Sequence, residues 1–522
     1  MDTDVLIVGA GPTGLMLANQ LTRRGVRTLI IDRHAGPARE TRALGVQART
    51  LEIYAQLGIA ERAIELGKIG TGANIWSRGR RTGRIVLGTA GAAVTPYPFI
   101  LILGQDDNER IMGERLRDFG GGVRWNTELV GLQQHAEHVE VVCKDEHGAI
   151  RNASARWIAG CDGAHSAVRD LCGIPFLGAA DEHVFYVADV EAIGTMVPDE
   201  VNVYLWPDGF HLFFPMRGPD HWRVVGILPG DLRAKSEVTF DSVVPSIRHE
   251  AGASLDFKSC SWFSTYRIHH RRAAQFRDRR CFLLGDAAHV HSPVGAQGMN
   301  TGLQDAYNLA WKLALVTTGQ AATVLLDSYE AERMPVAKRL LSTTDRAFRV
   351  VVSDRWVAGL FRTRILARVA GLAMRQESIQ RLAFRTVSQT GIHYRGSELS
   401  QALAVPPADA PQSGDRFPWL KLRMAPGAPV EDLYRKMSDL RFHLLIFGQE
   451  AAEAAELGDL VESHVIPEDA DNEAELHRAG IPPVSFYLVR PDGHVGLCGE
   501  RLDTTAVRRY LTDRLRMATP RA

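Results

Sequence analysis

The sequence predicts an α/β protein of several domains, and three patterns along its 522 residues lead to this prediction. A strand, a glycine-rich turn, a helix and a second strand follow one another within the first 32 residues. Apolar and polar residues alternate over residues 176–279, with Pro and Gly between the runs, which is typical of an antiparallel sheet. A further set of strand and helix patterns follows the Pro-rich segment 396–415.

The first pattern combines the spacing G-x-G-x-x-G with a strand before it and a helix after it. The apolar run Val5–Val8 leads into Gly9–Gly14, of sequence GAGPTG. Leucine and alanine then recur at helical spacing, and the second strand, Val26–Ile31, ends at Asp32. Because strand, helix and acid are all in place, the pattern indicates a dinucleotide-binding βαβ unit of Rossmann type.

Each residue type in this unit has a physical reason. Gly9 permits the tight turn, Gly11 lets a pyrophosphate approach the backbone, and Gly14 lets the helix pack closely on the strand. The phosphate charge then lies at the positive end of the helix dipole. Asp32 can accept hydrogen bonds from the hydroxyls of an adenosine ribose. The unit alone does not separate NAD from FAD.

Two later segments repeat the change from strand to glycine-rich turn. The run Arg156–Gly160 leads into Cys161–Arg169, of sequence CDGAHSAVR. The run Cys281–Leu284 leads into Gly285–Asn300, which contains GDAAH and then SPVGAQGMN. Helical spacing resumes near the end of this segment, so we expect a long helix that starts near Gly298.

With these three motifs in this order, the sequence resembles the class A flavin-dependent monooxygenases, the aromatic hydroxylases related to phenol and para-hydroxybenzoate hydroxylase. The resemblance rests on the fingerprint at 9–14, D-G-x-x-S-x-V-R at 162–169 and G-D-A-A-H…P-x-G-x-Q-G-M-N at 285–300. Similar stretches at 42–52, 105–109 and 328–335 extend the match over most of residues 1–395.

The resemblance implies that FAD is the bound dinucleotide. Asp286 would bind the ribityl chain, and the segment up to Asn300 would lie against the flavin ring, with Pro293 beside the reactive carbon. The residues that would contact FAD are Gly9, Gly11, Pro12, Thr13, Gly14, Asp32, Arg33, Arg42, Gln105, Asp162, Asp286, Pro293, Gly295, Gly298, Met299 and Asn300. Arg42, Ser166 and Arg169 would contact NADPH or NADH, although Ser166 and Arg169 equally fit a capped, salt-bridged helix start.

The implied activity is hydroxylation of a phenolic substrate. NADPH or NADH would reduce FAD, O₂ would form a flavin C(4a)-hydroperoxide, and its distal oxygen would enter the aromatic ring. The sheet predicted at 176–279 would cover the flavin, and the substrate would lie between the two. Pocket candidates are Tyr204, Trp206, His211, Phe213 and Tyr266, with Arg217 as an anion partner. The candidates for catalysis are Pro293, His211, Tyr204, Arg217 and Tyr266. Most of them lie in the alternating pattern, which is equally typical of side chains that pack in a core.

Two alternatives use the same motifs. The enzyme would act on a fused-ring polyketide by hydroxylation, epoxidation or Baeyer–Villiger insertion, or the chain would be a non-catalytic FAD-binding module. No second G-x-G-x-x-G follows residue 14, which disfavours two-Rossmann monooxygenases and disulfide reductases. The W-x-W-x-I-P segment that marks flavin halogenases does not occur.

The expected domains follow from these patterns. Residues 1–175, completed by 280–395, would bind FAD, residues 176–279 would bind substrate, and 396–415 would be a linker. Residues 416–522 resemble the thioredoxin-like domain of the phenol-hydroxylase and polyketide-hydroxylase branches, with Pro483 at the cis-proline position. This part has the single cysteine Cys498 and no C-x-x-C, so disulfide exchange is not expected.

Composition excludes several other classes. The 61 Lys and Arg balance 61 Asp and Glu, so a nucleic-acid-binding protein is not expected. The apolar runs are too short for a membrane span, and the N-terminus does not resemble a secretory signal. Six scattered cysteines predict a reducing cytoplasm and no metal site. The sequence leaves a homodimer open.

Overall fold

The computed structural model describes residues 2–38, 43–77, 79–86, 88–206, 209–233, 237–251, 255–291, 297–352, 376–450 and 457–517. The chain has an α/β fold with two sheets of eight strands and a smaller sheet near the C-terminus. Within the described ranges, no helix is both long enough and apolar enough to cross a membrane.

The first large sheet contains the βαβ unit. Its strands, in spatial order, are Arg277–Asp278, Cys281–Leu283, Ile150–Gly160, Thr3–Val8, Thr28–Ile31 and Val123–Arg124. The four strands in the middle of this order run parallel, and their aliphatic residues are nearly all buried, as expected for a sheet covered on both faces. Val139–Asp145 and Thr127–Gln134 add an antiparallel ribbon. The helix Pro12–Thr22 packs against Gln105–Asp118 and Gly298–Thr317.

The second large sheet confirms the antiparallel pattern and extends it. Its strands, in spatial order, are His289–Val290, Asp256–Ala273, Phe176–Ile193, His221–Ile227, Gly209–Pro215, Val201–Trp206, Gly72–Ser77 and Arg80–Val86. The last two strands come from the range 1–175, and Gly72–Ser77 joins by a parallel pairing with Val201–Trp206. The sheet is therefore not built from one continuous segment of chain. The helix Phe240–Ala251 packs on one of its faces.

Shorter elements connect these sheets. A three-stranded sheet is formed by Gly45–Val46, Ile100–Ile102 and Lys68–Gly70. The other helices and helical turns before residue 396 are Ala48–Leu57, Ala60–Leu66, Gly88–Gly91, Ala167–Leu171, Gly230–Leu232, Gly285–Ala287, Thr323–Leu326, Asp327–Val352 and Glu377–Val387.

The C-terminal part has its own five-stranded sheet. Its strands, in spatial order, are Gln401–Ala402, Val495–Gly499, Ser485–Val489, Phe442–Phe447 and Val461–Ile466, and a separate pair is formed by Lys421–Arg423 and Val430–Asp432. The helices are Leu433–Lys436, Ala470–Ala479, Thr504–Arg509 and Tyr510–Arg514. All peptide bonds of the described residues are trans, so the cis-proline expected at Pro483 is wrong.

Candidate functional site

Three turns meet at the carboxyl ends of neighbouring parallel strands in the first sheet. Val8 lies opposite Gly160 and Ile31 in the strand register, and Leu283 lies opposite Gly160 on the other side. The segments after these strands begin at Gly9, Cys161 and Leu284, so the three sequence motifs are adjacent in space. In open α/β sheets such a row of carboxyl ends is where ligands bind.

The first turn needs glycine at two positions and leaves a third one open. Gly9 has a φ of 102°, and a Cβ there would lie 2.4 Å from the carbonyl oxygen of Cys161. A Cβ on Gly14 would lie 1.9 Å from the carbonyl oxygen of Gly9. A Cβ on Gly11 would meet no atom within 4 Å. Gly9 and Gly14 therefore serve packing, whereas Gly11 presents bare backbone at the start of the helix Pro12–Thr22, with Pro12 in its first turn.

Asp32 lies directly beside this turn. Its Oδ2 accepts a hydrogen bond of 2.7 Å from the backbone N–H of Ala10, and its Oδ1 accepts one of 2.8 Å from that of His34. Its neighbour Arg33 is exposed. These contacts fix the side chain at the end of the second strand, where its oxygens can accept hydrogen bonds from ribose hydroxyls.

Gln105 reaches the same region through a residue that the sequence did not single out for a role. Its Nε2 donates to Glu109 Oε1 at 2.8 Å, and Glu109 Oε2 accepts from the backbone N–H of Ala38 at 2.8 Å. Burial raises the pKa of Glu109. Gln105 and Glu109 thus hold the segment that follows Asp32, while Arg42 lies outside the described residues.

The second turn places a carboxylate next to Gly9. Asp162 Oδ2 accepts a hydrogen bond of 3.1 Å from the N–H of Val168. Among the described residues, its Oδ1 is buried without a hydrogen-bond partner. Burial raises the pKa of Asp162. A buried acceptor without a partner is costly, so this atom fits a ligand that donates a hydrogen bond.

Ser166 and Arg169 have structural contacts. Ser166 caps the short helix Ala167–Leu171, and its Oγ accepts from the N–H of Arg169 at 3.0 Å. The Arg169 guanidinium donates to the carbonyl oxygens of Ala164 and Ala287 and lies 4.0 Å from the ring centre of Phe176. Both residues are buried. These contacts support the helix-cap interpretation of the two residues and join the second turn to the third.

The third turn is packed closely against the first. Gly285 has a φ of 58°, and a Cβ there would lie 2.7 Å from Thr13 Oγ1. A Cβ on Gly302 would lie 2.4 Å from the same oxygen. Asp286 follows Gly285 with its side chain exposed, yet the surrounding protein raises the pKa of its carboxyl. The exposed side chain and the raised pKa together indicate that Asp286 lies in a concave part of the surface.

The long helix starts where the sequence predicted, at Gly298, and runs to Thr317. The first N–H groups of a helix lack partners within it, so this end offers donors and a positive dipole. Met299 is partly buried against the core. The side chain of Asn300 is buried, and its Oδ1 accepts from the N–H of Gln47 at 2.9 Å and from Thr50 Oγ1 at 2.7 Å. Asn300 therefore fixes the helix start with its side chain.

Pro293 and Gly295 lie outside the described residues, in the segment 292–296. The structure therefore gives no position for the two residues that the resemblance places beside the flavin.

A buried charge network beneath the third turn was missed by the sequence analysis. Asp305 Oδ2 lies 2.8 Å from His289 Nε2 and accepts from the N–H of Gly285 at 3.1 Å, while its Oδ1 accepts from Arg333 Nε at 2.6 Å. Arg333 also donates to the hydroxyl of Tyr394 at 2.9 Å. The one available signal was the presence of two charged residues, Asp305 and Lys312, in a helix that is otherwise uncharged. The network fixes the backbone on which Asp286 stands.

A second buried network joins the C-terminal part to the helices Gly298–Thr317 and Asp327–Val352. Glu332 accepts from Lys312 Nζ at 2.7 Å and from Arg490 Nη1 at 2.6 Å, and none of the three side chains is exposed. Arg490 also pairs with Asp492, whose carbonyl oxygen accepts from Arg49 at 2.6 Å. The hairpin that contains Asp492 is thus tied to the helix Ala48–Leu57 and to Gly298–Thr317.

The sequence-predicted pocket residues divide between the two faces of the second sheet. We call the side that carries Tyr186, Tyr204, Phe213 and Trp222, and that is covered by the helix Phe240–Ala251, the packed face. We call the opposite side the open face. It carries Phe185, Leu205, Phe210 and Ile227, with the partly exposed residues Ile75, Val203, Leu212 and Tyr266 packed on them.

Four candidates lie on the packed side of the strands. Tyr204 stacks on Trp76 with ring centres 5.5 Å apart and meets Phe213 edge to face at 5.4 Å. His211 lies opposite Tyr204 in the register and shares a hydrogen bond of 2.7 Å between its Nδ1 and the Tyr186 hydroxyl. Trp206 stacks on the imidazole of His211. Because burial lowers the pKa of His211 to about 3, its imidazole is neutral at physiological pH.

Tyr266 and Arg217 have different positions. Tyr266 lies on the open face, with its ring centre 5.9 Å from that of Phe185. The same strand pairs with His289–Val290 through Arg271 and Arg272, so Tyr266 is roughly 17 Å along the strand from the third turn. Arg217 is exposed in the turn before His221, at the other end of the sheet. The structure does not bring Arg217 to the other candidates.

Together, the fold and the three turns define a dinucleotide-binding α/β enzyme with an inserted sheet. Residues 2–344 match the FAD binding domain family, and the chain belongs to this family. Gly11, Asp162 Oδ1, Asp286 and the N–H groups near Gly298 fit FAD, because they combine an open approach for the phosphates, a buried acceptor without a partner among the described residues, an exposed carboxyl and the donor end of a helix.

Three proteins show the breadth of the similarity. The 6-methylpretetramide 4-monooxygenase of Streptomyces rimosus is 35% identical over 516 residues, covering 96% of this chain and 92% of that protein. The pentachlorophenol 4-monooxygenase of Sphingobium chlorophenolicum is 32% identical over 503 residues, covering 94% and 86%. A solved ternary complex of aklavinone-11 hydroxylase with FAD and aklavinone superposes with a TM-score of 0.81 at 26% identity, covering 99% of each chain.

The chain is an FAD-dependent monooxygenase of the aromatic hydroxylase family. Its cofactors are FAD and, as reductant, NADPH or NADH.

Proposed function

We propose that this enzyme hydroxylates a polycyclic aromatic substrate that carries a phenol group, bound between the open face and FAD. The observation that supports this most is the open face itself. Eight of its residues are aromatic or aliphatic, and four of these are only partly buried. Aromatic and aliphatic side chains bind flat, apolar rings by area burial and by ring packing.

The charged pair on this face lies away from the first sheet. Arg223 and Asp189 form a bidentate ion pair, in which Arg223 Nε lies 2.5 Å from Asp189 Oδ1. The guanidinium lies 5.3 Å from the ring centre of Trp262. In the register they lie toward the end of the sheet that carries the Arg217 turn. Away from this pair, the eight aromatic and aliphatic residues of the face form an apolar region, which favours a fused-ring system over a small anion. Toward the third turn, the strand Asp256–Ala273 carries Arg267 and the basic run 269–272.

We further propose which residues hold FAD. Gly11 and the start of Pro12–Thr22 would bind the pyrophosphate, Asp32 the adenosine ribose, and Asp162 and Asp286 hydroxyls of the connecting chain. The N–H groups at the start of Gly298–Thr317 would face the ring, where they stabilise negative charge. Thr13, Gly14 and Asn300 would position these groups through packing and side-chain hydrogen bonds.

Bound FAD supplies the redox chemistry: it takes two electrons from NADPH or NADH and uses them to activate O₂ for insertion into the ring. The chain's own contribution is binding, orientation and exclusion of water. Phe210 and Leu212 would hold the ring in place, and Tyr266 would offer a hydroxyl to the phenol oxygen. The sheet would cover the reacting atoms and so keep bulk water from them.

The domain assignment is part of the proposal. Residues 1–175 with 280–395 would form the FAD-binding domain, 176–279 most of the substrate domain, and 416–522 a thioredoxin-like domain after the linker 396–415. Support for the last comes from its sheet, in which Phe442–Phe447 pairs parallel with Val461–Ile466 and antiparallel with Ser485–Val489. The buried ion pair between Glu332 and Arg490 indicates that this domain holds the helix Asp327–Val352 in place. A cytoplasmic monooxygenase remains our expectation.

A second candidate is a simple phenol. The pentachlorophenol 4-monooxygenase, which is 32% identical to this chain, is named for a simple phenol. A single small ring would leave part of the open face uncovered. The two candidates differ in the apolar area that the substrate would bury on the open face.

Anaerobic reduction of the flavin by NADPH or NADH separates them. Holoenzyme would be mixed with reductant alone, with simple phenols and with polycyclic phenols, and the bleaching of the flavin followed. We expect the largest acceleration with polycyclic phenols, followed by an oxygen atom from ¹⁸O₂ in the product. Acceleration by simple phenols alone would replace the proposed substrate class, and bleaching without any oxygenated product would contradict oxygenation.

A further inference from the structure

Three potential metal ligands lie together at one end of the C-terminal sheet, apart from the flavin site. His443 is in the strand Phe442–Phe447, and Glu462 and His464 are in the neighbouring strand Val461–Ile466. His443 lies opposite Glu462 in the parallel register. Glu462 and His464 are two residues apart, so their side chains leave the edge strand on the same face. The register therefore brings one nitrogen from each imidazole and a carboxylate together.

The ligand atoms are within a single ion's reach of one another. His443 Nδ1 lies 3.0 Å from His464 Nε2 and 4.0 Å from Glu462 Oε2. All three atoms lie within 4.8 Å of one another. Two imidazole nitrogens on a tetrahedral Zn²⁺ are about 3.3 Å apart, given Zn–N bonds of about 2.0–2.1 Å. The two rings would need to separate by only a few tenths of an ångström.

A backbone carbonyl sets the tautomer of His443. Its Nε2 lies 2.7 Å from the carbonyl oxygen of Ser438, which can only accept, so Nε2 carries the hydrogen and donates it. Nδ1 then presents its lone pair to His464 and Glu462. A ligand histidine whose other nitrogen donates to a carbonyl is the usual arrangement around zinc, because it fixes the ring.

We infer that His443, Glu462 and His464 form a Zn²⁺ site, with water as the fourth ligand. Nitrogen and carboxylate ligands suit this ion, and its charge would offset that of Glu462. The His443 side chain is 2% exposed and that of Glu462 is 41% exposed, so the site is anchored on one side and open to solvent on the other. The ion would link the edge strand Val461–Ile466 to its neighbour. This site does not depend on the proposed substrate.

A second group of similar composition provides a matched control. His135, His138 and Glu140 lie at a turn between two strands, and their side chains are 36%, 34% and 59% exposed. The two rings of this group stack with centres 4.7 Å apart. Stacked rings on an exposed turn lack the buried, carbonyl-fixed ligand of the C-terminal site, so we expect weaker binding there.

The test is a Zn²⁺ titration of holoenzyme that has been treated with chelator and dialysed. We expect one tight equivalent by calorimetry, a rise in Tm with Zn²⁺, and the visible absorption of tetrahedral Co²⁺ when Co²⁺ replaces it. His464→Gln and Glu462→Gln, both partly exposed positions, should each lose at least tenfold in affinity, whereas His135→Gln should retain the tight equivalent. No bound ion at saturating Zn²⁺, or a tight equivalent that survives His464→Gln, would overturn the site.

Discussion

The packed face and the open face of the inserted sheet have similar composition and different surroundings. Tyr204, Phe213 and Trp222 on the packed face meet one another and the helix Phe240–Ala251, and the exposed fraction of each is 8% or less. On the open face, Leu212 and Tyr266 remain partly exposed beside Phe185 and Phe210. Aromatic residues therefore mark both a core and a candidate pocket in one sheet.

Successive side chains of a strand point to opposite faces of the sheet, so a residue's position in this alternation decides whether it packs in the core or faces the candidate pocket. Leu212 and Phe213 are neighbours in the chain, and their side chains point to opposite faces. A substitution at one should therefore change substrate binding, and a substitution at the other should change stability.

Phe213→Ala should have the largest effect, and it should be on stability. The side chain is fully buried between Tyr204 and Trp222, so its removal leaves a cavity. We expect a loss of about 3–5 kcal/mol in the free energy of unfolding, measured by urea denaturation of the holoenzyme. The KM for substrate should change less than about twofold in the folded fraction. A stable variant with a strongly raised KM would place Phe213 in the pocket.

His211→Gln should change how stability depends on pH. The folded pKa of His211 is about 3, so between about pH 6.5 and 3 the unfolded chain binds a proton that the folded chain does not. This group therefore makes the folded state less stable as the pH falls, by about 1.4 kcal/mol per pH unit. The variant should show a stability curve flatter by that amount below pH 6.

The same variant tests whether His211 takes part in the reaction. A neutral, packed imidazole predicts that the pH profile of kcat/KM between pH 6 and 8 keeps its shape in His211→Gln. Loss of an ionisation from that profile, with stability unchanged, would give His211 a role at the substrate after all.

Leu212→Trp should have the smallest effect on stability and a selective effect on binding. The larger side chain would fill part of the open face next to Phe210, where Leu212 is only partly buried. We expect KM for a polycyclic phenol to rise about tenfold, which corresponds to about 1.4 kcal/mol, and KM for a simple phenol to change less. The free energy of unfolding should change by less than about 1 kcal/mol. Equal changes in KM for both substrates would contradict binding of the polycyclic phenol on the open face.

The contrast also shows what sequence reasoning reached. The turns at Gly9, Asp162 and Gly285 were predictable because each follows the apolar end of a strand, and a tight strand-to-helix turn restricts the residue types locally. The start of the long helix at Gly298 was predictable for the same reason. The alternation at 201–215 correctly predicted two-sided strands.

Long-range contacts decided the rest. Alternation separates Leu212 from Phe213 but does not say which side the helix Phe240–Ala251 covers, so it could not place Tyr204 and His211 on the covered side. The strands Gly72–Ser77 and Arg80–Val86 join the inserted sheet from more than one hundred residues away in the chain. The partners of Asp305 and Glu332 are likewise set by packing between distant segments of the chain rather than by local pattern.

A crystal structure of the holoenzyme with a bound polycyclic phenol would show which face of the inserted sheet the substrate contacts. We expect ring atoms to lie within about 4.5 Å of Leu212 and Tyr266, between the open face and FAD. A substrate in contact with Tyr204 or Phe213, on the side of the helix Phe240–Ala251, would contradict it.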